Sequence, residues 1–189
     1  MRIIAGTYRG RNLKTTVGPG FRPAMGKVRE ALFSMLEARG VDWPETRVLD
    51  LYAGSGSLGL EALSRGTAFV CFVESAPYAA KVIAANTELL GVEPERFAIR
   101  REKTATVLTG RPDAPFSVVF IDPPYTMDAL KASLGALLKN NWVLPGAVIN
   151  AEVEERQRFD PERIHPWLTP LIDRTYGQTR VILWNVNQP

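Results

Sequence analysis

Arg47-Val-Leu-Asp-Leu-Tyr-Ala-Gly-Ser-Gly-Ser-Leu-Gly-Leu-Glu61 is the stretch around which the chain is organised. It starts as a buried strand, Val48 to Tyr52, in which Asp50 is the one charged residue. It turns through Gly54, Ser55 and Gly56, and continues as a helix with Leu58, Leu60, Ala62 and Leu63 as apolar surface. A strand that feeds a glycine turn and then a helix is the first unit of a doubly wound α/β domain, and ligands bind where such strands end. Glycine lets the backbone approach a ligand closely because no Cβ intervenes. The helix start then offers N–H groups that have no intrahelical partner. The stretch therefore predicts a cofactor site.

Outward from it, strands alternate with helices. Ala68-Phe-Val-Cys-Phe-Val-Glu74 and Phe116-Ser-Val-Val-Phe-Ile-Asp122 are continuous apolar runs, as expected of parallel strands covered on both faces. Residues 97–101 and 147–152 supply two further strands. Helices are expected over 24–38, from Pro77 to Leu90 with Ser75 as its cap, over 104–108 and over 127–139. The polar segment 154–166 reads as a variable connection, and 171–176 with 179–186 flank Gly177-Gln178 as an antiparallel hairpin. The fold class is α/β, with a mostly parallel seven-stranded sheet and an antiparallel terminal hairpin. Before it, residues 1–23 form a small basic β-hairpin extension, with short strands at Arg2–Ala5 and Asn12–Thr16, on a main domain of residues 24–189.

The 189 residues are 46% apolar and 23% charged, ordinary values for one globular domain. No apolar run has membrane-spanning length, and the N-terminus lacks a signal-peptide layout. A cytoplasmic monomer is expected, with the lone Cys71 as a buried thiol. One histidine and one cysteine leave little for a transition-metal site, so no metal is expected. The net charge of +3 is unevenly spread. Arg2, Arg9, Arg11, Lys14, Arg22, Lys27 and Arg29 stand against Glu30 alone in the first 30 residues. A segment this basic suggests an anionic partner, nucleic acid above all.

Gly54, Gly56 and Gly59 satisfy the G-x-G-x-x-G spacing, and Glu74 lies where a ribose-binding acid is expected. That pattern alone fits NAD and other adenosine cofactors. Asp50 separates them: its carboxylate repels a pyrophosphate and attracts the ammonium and sulfonium of S-adenosylmethionine. The second constellation is Asp122-Pro-Pro-Tyr125, at the end of the fourth strand. In a doubly wound sheet the first and fourth strands are neighbours, so both motifs face one crevice. Pro123 and Pro124 supply carbonyls without N–H donors, and Asp122 adds acceptor oxygens. Such a site suits an exocyclic amine, and Tyr125 offers a face on which a base can stack.

Beyond these residues, Arg2-Ile-Ile-Ala-Gly6, Tyr8-Arg-Gly-Arg-Asn-Leu13, Arg22-Pro23, Lys27-Val-Arg-Glu-Ala-Leu-Phe33 and Val48 to Gly66 resemble the RsmD family of bacterial small-subunit ribosomal RNA guanine-N2 methyltransferases. The resemblance covers roughly residues 1–150 and returns at Tyr176-Gly177. It implies a Rossmann-like class I S-adenosylmethionine-dependent enzyme. That enzyme would methylate the exocyclic N2 of a guanine in 16S rRNA, within an assembled or nearly assembled small subunit. It implies that Asp50, Tyr52, Gly54, Ser55, Gly56, Glu74 and Ser75 hold the cofactor, and that Asp122, Pro123, Pro124 and Tyr125 hold the target amine. Arg9, Arg11, Arg22 and Lys27 would meet RNA. The chain departs from the family in two places. Ala24-Met25-Gly26 stands where the family usually has Thr-Thr-Asp. Arg101-Glu102-Lys103 stands where it often has an Asp or Asn for the adenine, which gives Glu102 that place. The alternatives are a DNA amino-methyltransferase acting on adenine N6 or cytosine N4, a non-catalytic RNA-binding module, and an NAD-dependent oxidoreductase. Asp50 and the Asp122 motif disfavour the last, and the chain has little room for the target-recognition domain of the first.

Overall fold

Seven strands make one sheet in the order β3-β2-β1-β4-β5-β7-β6 in the computed structural model, which describes residues 1–16, 23–123 and 127–187. The parallel strands are β1 (Arg47–Leu51), β2 (Phe69–Val73), β3 (Phe97–Arg100), β4 (Phe116–Ile121) and β5 (Val143–Glu154). The antiparallel pair β6 (Leu168–Tyr176) and β7 (Thr179–Val186) closes the far side against β5. Five helices of the described residues cover the faces: α1 (Pro23–Glu37), α2 (Ser57–Ser64), α3 (Pro77–Leu90), α4 (Thr104–Thr109) and α5 (Met127–Lys139).

Alternation along each strand divides the core in two. Leu49, Leu51, Cys71, Val119, Ile121 and Ile149 pack with Leu108 of α4 and Leu134 of α5. Val48, Val70, Phe72, Val118 and Phe120 pack with Phe33 of α1, Leu60 of α2 and Ile83 of α3. Trp184 is fully buried on β7, as its place on the last strand suggested. The chain order reverses between β1 and β4, which pair directly, with Asp50 beside Phe120. That switch point is where a crevice opens at the strand ends.

Several boundaries differ from the sequence reading. The first strand stops at Leu51, because Tyr52 turns to a left-handed φ of +58°. β5 is longer than 147–152. A register irregularity opposite Phe116–Val118 absorbs Pro145-Gly146, and pairing with β7 carries the strand on to Glu154. The sixth strand begins at Leu168, and Pro161–Arg163 forms a 3-10 turn inside the expected connection.

The largest correction concerns the N-terminal segment. The two strands expected there reduce to one antiparallel bridge, Arg2 with Asn12. The hairpin is closed by Ile3 N–H to the Arg11 carbonyl at 3.0 Å and Leu13 N–H to the Met1 carbonyl at 2.7 Å. Arg9, Gly10 and Arg11 N–H groups also stay within the segment, on the Gly6, Ile3 and Tyr8 carbonyls, while five other backbone donors go to helices. Glu61 of α2 accepts from Ile4 and Ala5 at 2.9 and 3.0 Å, Ser64 Oγ accepts from Tyr8, and Asn86 of α3 accepts from Lys14. Thr7 N–H meets the Ser64 carbonyl at 2.7 Å. Contact is so close at Gly6 (φ +80°) that a Cβ would lie 1.8 Å from that carbonyl oxygen. Ile3 and Leu13 are buried in the same cluster as Phe33 and Phe120. Backbone groups must find partners somewhere, and here buried helix side chains do what strand pairing was expected to do.

Candidate cofactor and substrate site

The loop after β1 is built from backbone bonds and two carboxylates. Tyr52 holds its unusual φ while its hydroxyl meets Ser133 Oγ of α5 at 3.1 Å. A non-glycine residue in that region costs of order 1–3 kcal/mol and clusters at functional sites. Ala53 N–H reaches the Val73 carbonyl, and Gly56 N–H returns to the Ala53 carbonyl at 2.7 Å. Gly56 itself caps α2 at φ +79° and has no side chain to do so. Asp50 supplies the missing acceptor: its Oδ2 takes the Gly59 N–H at 2.9 Å. Gly59 is needed for packing, since a Cβ there would lie 2.2 Å from the Phe72 ring. The N–H groups of Ser57 and Leu58 bond to nothing among the described residues, and a helix start leaves such donors for a ligand.

Glu74, just past β2, ties this loop to the neighbouring strand. One oxygen accepts the Gly54 N–H at 2.8 Å and the other the Ala76 N–H at 2.7 Å. Ser75 is exposed and does not cap α3. Ala76 is the cap residue and Pro77 opens the helix, so the capping acceptor is Glu74. An ionised carboxylate has about four lone-pair sites, so Glu74 retains acceptor capacity beyond these two bonds. Glu102, after β3, accepts from Arg100 Nε at 3.0 Å.

Four strand-end carboxyls share this edge: Asp50, Glu74, Asp122 and Glu152. Asp50 is 3% exposed, and burial raises its carboxyl well above the usual range. The nearby Asp122, Glu152 and Glu74 raise it further, against the Gly59 N–H. Asp122 has its surface open to the crevice but protein crowded around it. Burial pushes its carboxyl up to about 6, and the water it still meets limits that rise. Glu152 is half-buried and pushed up to about 8 by burial and then by Asp122, with Arg29 opposing. Crowded carboxyls of like charge raise one another in this way. The sequence reading gave Glu152 no role, although it too is an acid closing an apolar strand. The signal that selected Asp122 was available for it. No group of three His, Cys, Asp or Glu side chains among the described residues is placed to hold a metal ion.

Pro123 is buried beside Asp122; Pro124 and Tyr125 lie outside the described residues. Of the basic residues, Arg9 and Lys27 line one surface hollow together with Arg2, Arg29 and Glu30. Arg11 instead donates to the Leu89 carbonyl at the end of α3, and Arg22 lies outside the described residues. Arg2, exposed and named in the basic segment but not among the four residues expected to meet RNA, joins the hollow with its Nε donating to the Gly10 carbonyl.

A glycine loop, helix donors and converging acids suit a ligand that is anionic at one end and cationic at the other. With the antiparallel β7 in the sheet, the fold is that of the class I methyltransferases. The chain belongs to the family described as conserved hypothetical protein 95, which matches residues 1–185. It is 36% identical to the ribosomal RNA small subunit methyltransferase D of Haemophilus influenzae, over 94% of this chain and 89% of that protein. Among solved structures, the Escherichia coli protein yhhF superposes with a TM-score of 0.85 at 29% identity, covering 100% of this chain and 99% of that one. The magnesium protoporphyrin IX methyltransferase of Synechocystis, solved with S-adenosylmethionine bound, shares the fold alone. Its TM-score is 0.68 at 11% identity, over 90% of this chain and 87% of that one.

The site residues carry a direct test. Glu74→Ala is expected to weaken S-adenosylmethionine binding by about 1–3 kcal/mol, the scale of hydrogen bonds to a charged group. Titration calorimetry reads this, and an unchanged affinity removes Glu74 from the cofactor site.

Proposed function

We propose that this protein transfers a methyl group from S-adenosylmethionine to the exocyclic N2 of a guanine in 16S rRNA, within an assembled or nearly assembled small subunit. The observation that carries the reading is the position of Asp122. It ends β4 directly beside the glycine loop of β1, is open to the crevice, and accepts no hydrogen bond among the described residues. The family relationship points the same way, since the Haemophilus influenzae relative is a small-subunit rRNA methyltransferase.

Bound S-adenosylmethionine supplies an electrophilic methyl group. The protein has to bring a poor nucleophile to it, because the lone pair of an aromatic amine is delocalised into the ring. Asp122 and the Pro123 carbonyl accept the two amine hydrogens, which favours the pyramidal nitrogen of the transition state and offsets the charge that grows there. Reacting atoms must lie about 3–3.5 Å apart in line, so the base leaves its stack, and Tyr125 is assigned to hold the displaced ring. Asp122 takes up the proton released after transfer.

RNA is met by the hollow of Arg2, Arg9 and Lys27. Arg9→Ala combined with Lys27→Ala is expected to weaken RNA binding and to flatten its dependence on log salt by at most about 2 units of slope. Cofactor affinity should hold. A salt series with an unchanged slope makes this hollow an ordinary solvated face.

The reading as a whole is tested by offering labelled S-adenosylmethionine with naked RNA, small subunits or DNA. Label is expected in RNA, and most strongly in the particle. Label confined to DNA makes the protein a DNA amino-methyltransferase, and label in neither makes it a binding module.

A further inference from the structure

Two carboxyls at the crevice find no donor among the described residues. The β4–β5 register pairs Phe120 with Asn150 and Ile121 with Ala151, so Asp122 and Glu152 are the next neighbours on the same face. Among the described residues neither carboxyl accepts a hydrogen bond. Arg29 acts on Glu152 only at a distance, because its hydrogen bond runs to the Arg2 carbonyl at 2.7 Å and its ion pair to Glu61 at 3.8 Å. Asn150 stands two residues behind Glu152 on that face. It is completely buried, and among the described residues both its amide oxygen and its amide nitrogen lack a partner. Buried polar groups are nearly always satisfied, so an exception with two open acids in front of it marks a place where a ligand brings donors.

We propose that Glu152 is the base-reading residue of this site, receiving the N1–H of guanine while Asp122 receives the adjacent N2–H. The inference rests on the guanine-N2 reading above. Guanine is the base whose amine sits beside a ring N–H. In adenine and cytosine the ring nitrogen next to the amine is an acceptor, and against Glu152 it opposes a lone pair with a lone pair. Near neutrality the two carboxyls hold one proton between them. An acid O–H prefers a charged acceptor. The Glu152 proton therefore goes to Asp122, and its other oxygen faces N1. A site built around a ring N–H rejects an analogue lacking it far more strongly than shape alone allows.

The test uses RNA carrying 2-aminopurine at the position that the wild-type enzyme methylates. This base keeps the C2 amine but has an unprotonated N1. In single-turnover assays the wild type is expected to act about 10²-fold more slowly on it than on guanine. Glu152→Ala removes the acceptor that faces N1, so guanine should slow by about tenfold and the preference should shrink to less than about threefold. Glu152→Gln, whose amide gives an N–H to Asp122 and a carbonyl oxygen to N1–H, should keep the preference for guanine. Calorimetric cofactor affinity should be unchanged in both variants. A preference that survives in Glu152→Ala overturns the assignment, as does loss of cofactor binding with transfer, which marks a structural acid. If the wild type places no methyl on guanine at all, the underlying reading fails first.

Discussion

Asp122→Asn is expected to lower kcat by about 10²–10³, the scale for removing one preorganised electrostatic contact, while cofactor affinity changes by less than tenfold. Asparagine keeps the shape but points an N–H at the amine where an acceptor oxygen stood. The wild-type rate should also fall as pH drops below about 6, because the raised carboxyl is then protonated and one acceptor becomes a donor. The sign is that of an acid needed in its ionised form: activity present above the folded value and lost below it. In the variant this acid limb should vanish. A single-turnover assay with cofactor and substrate saturating, run from pH 5 to pH 8, reads both effects. Transfer at the parent rate in Asp122→Asn makes this residue a structural cap.

Glu61→Ala is expected to destabilise the fold by about 3–5 kcal/mol, the cost of removing one partner from a buried charge network. Glu61 is fully buried on α2. Its carboxylate receives the Ile4 and Ala5 N–H groups, lies 3.1 Å from Arg65 and 3.8 Å from Arg29. Truncation leaves two guanidinium groups and two backbone donors short of an acceptor. Urea unfolding gives the loss directly. Because this acid anchors the basic N-terminal segment to the helix that follows the glycine loop, RNA affinity should fall even where the variant is still folded. A loss below about 1 kcal/mol would show that the hairpin is held by Ile3, Leu13 and Asn86 instead.

The first, second and fourth strands were legible because they are short apolar runs, closed by a glycine turn after β1 and by an acid after β2 and β4. β1, β2 and β4 were placed to within one or two residues. Their neighbour relations follow from the general rule for doubly wound sheets, which is why the sequence alone places Asp50 and Asp122 at one crevice. What escaped notice depends on distant partners. The N-terminal segment has hairpin punctuation, but Glu61, Ser64 and Asn86 take its backbone donors. Nothing local in residues 1–16 signals acceptors more than fifty positions away. Ser75 looked like a helix cap, yet Glu74 has the longer reach and takes the N–H. Asp50 was read as facing the cofactor's cation. The structure buries it and bonds it to the Gly59 N–H, so its carboxyl caps the start of α2. Glu152 shows that the rule applied to the first, second and fourth strands holds equally for the fifth.

Identifying the methylated base tests the central claim most directly. Wild-type protein, labelled S-adenosylmethionine and small ribosomal subunits are incubated, the RNA is digested to nucleosides, and the labelled nucleoside is identified by mass spectrometry. The account predicts N2-methylguanosine from a single position, with the yield in one turnover reduced about 10²–10³-fold in Asp122→Asn. Label on a ring carbon, a ribose oxygen or an adenine amine would contradict it.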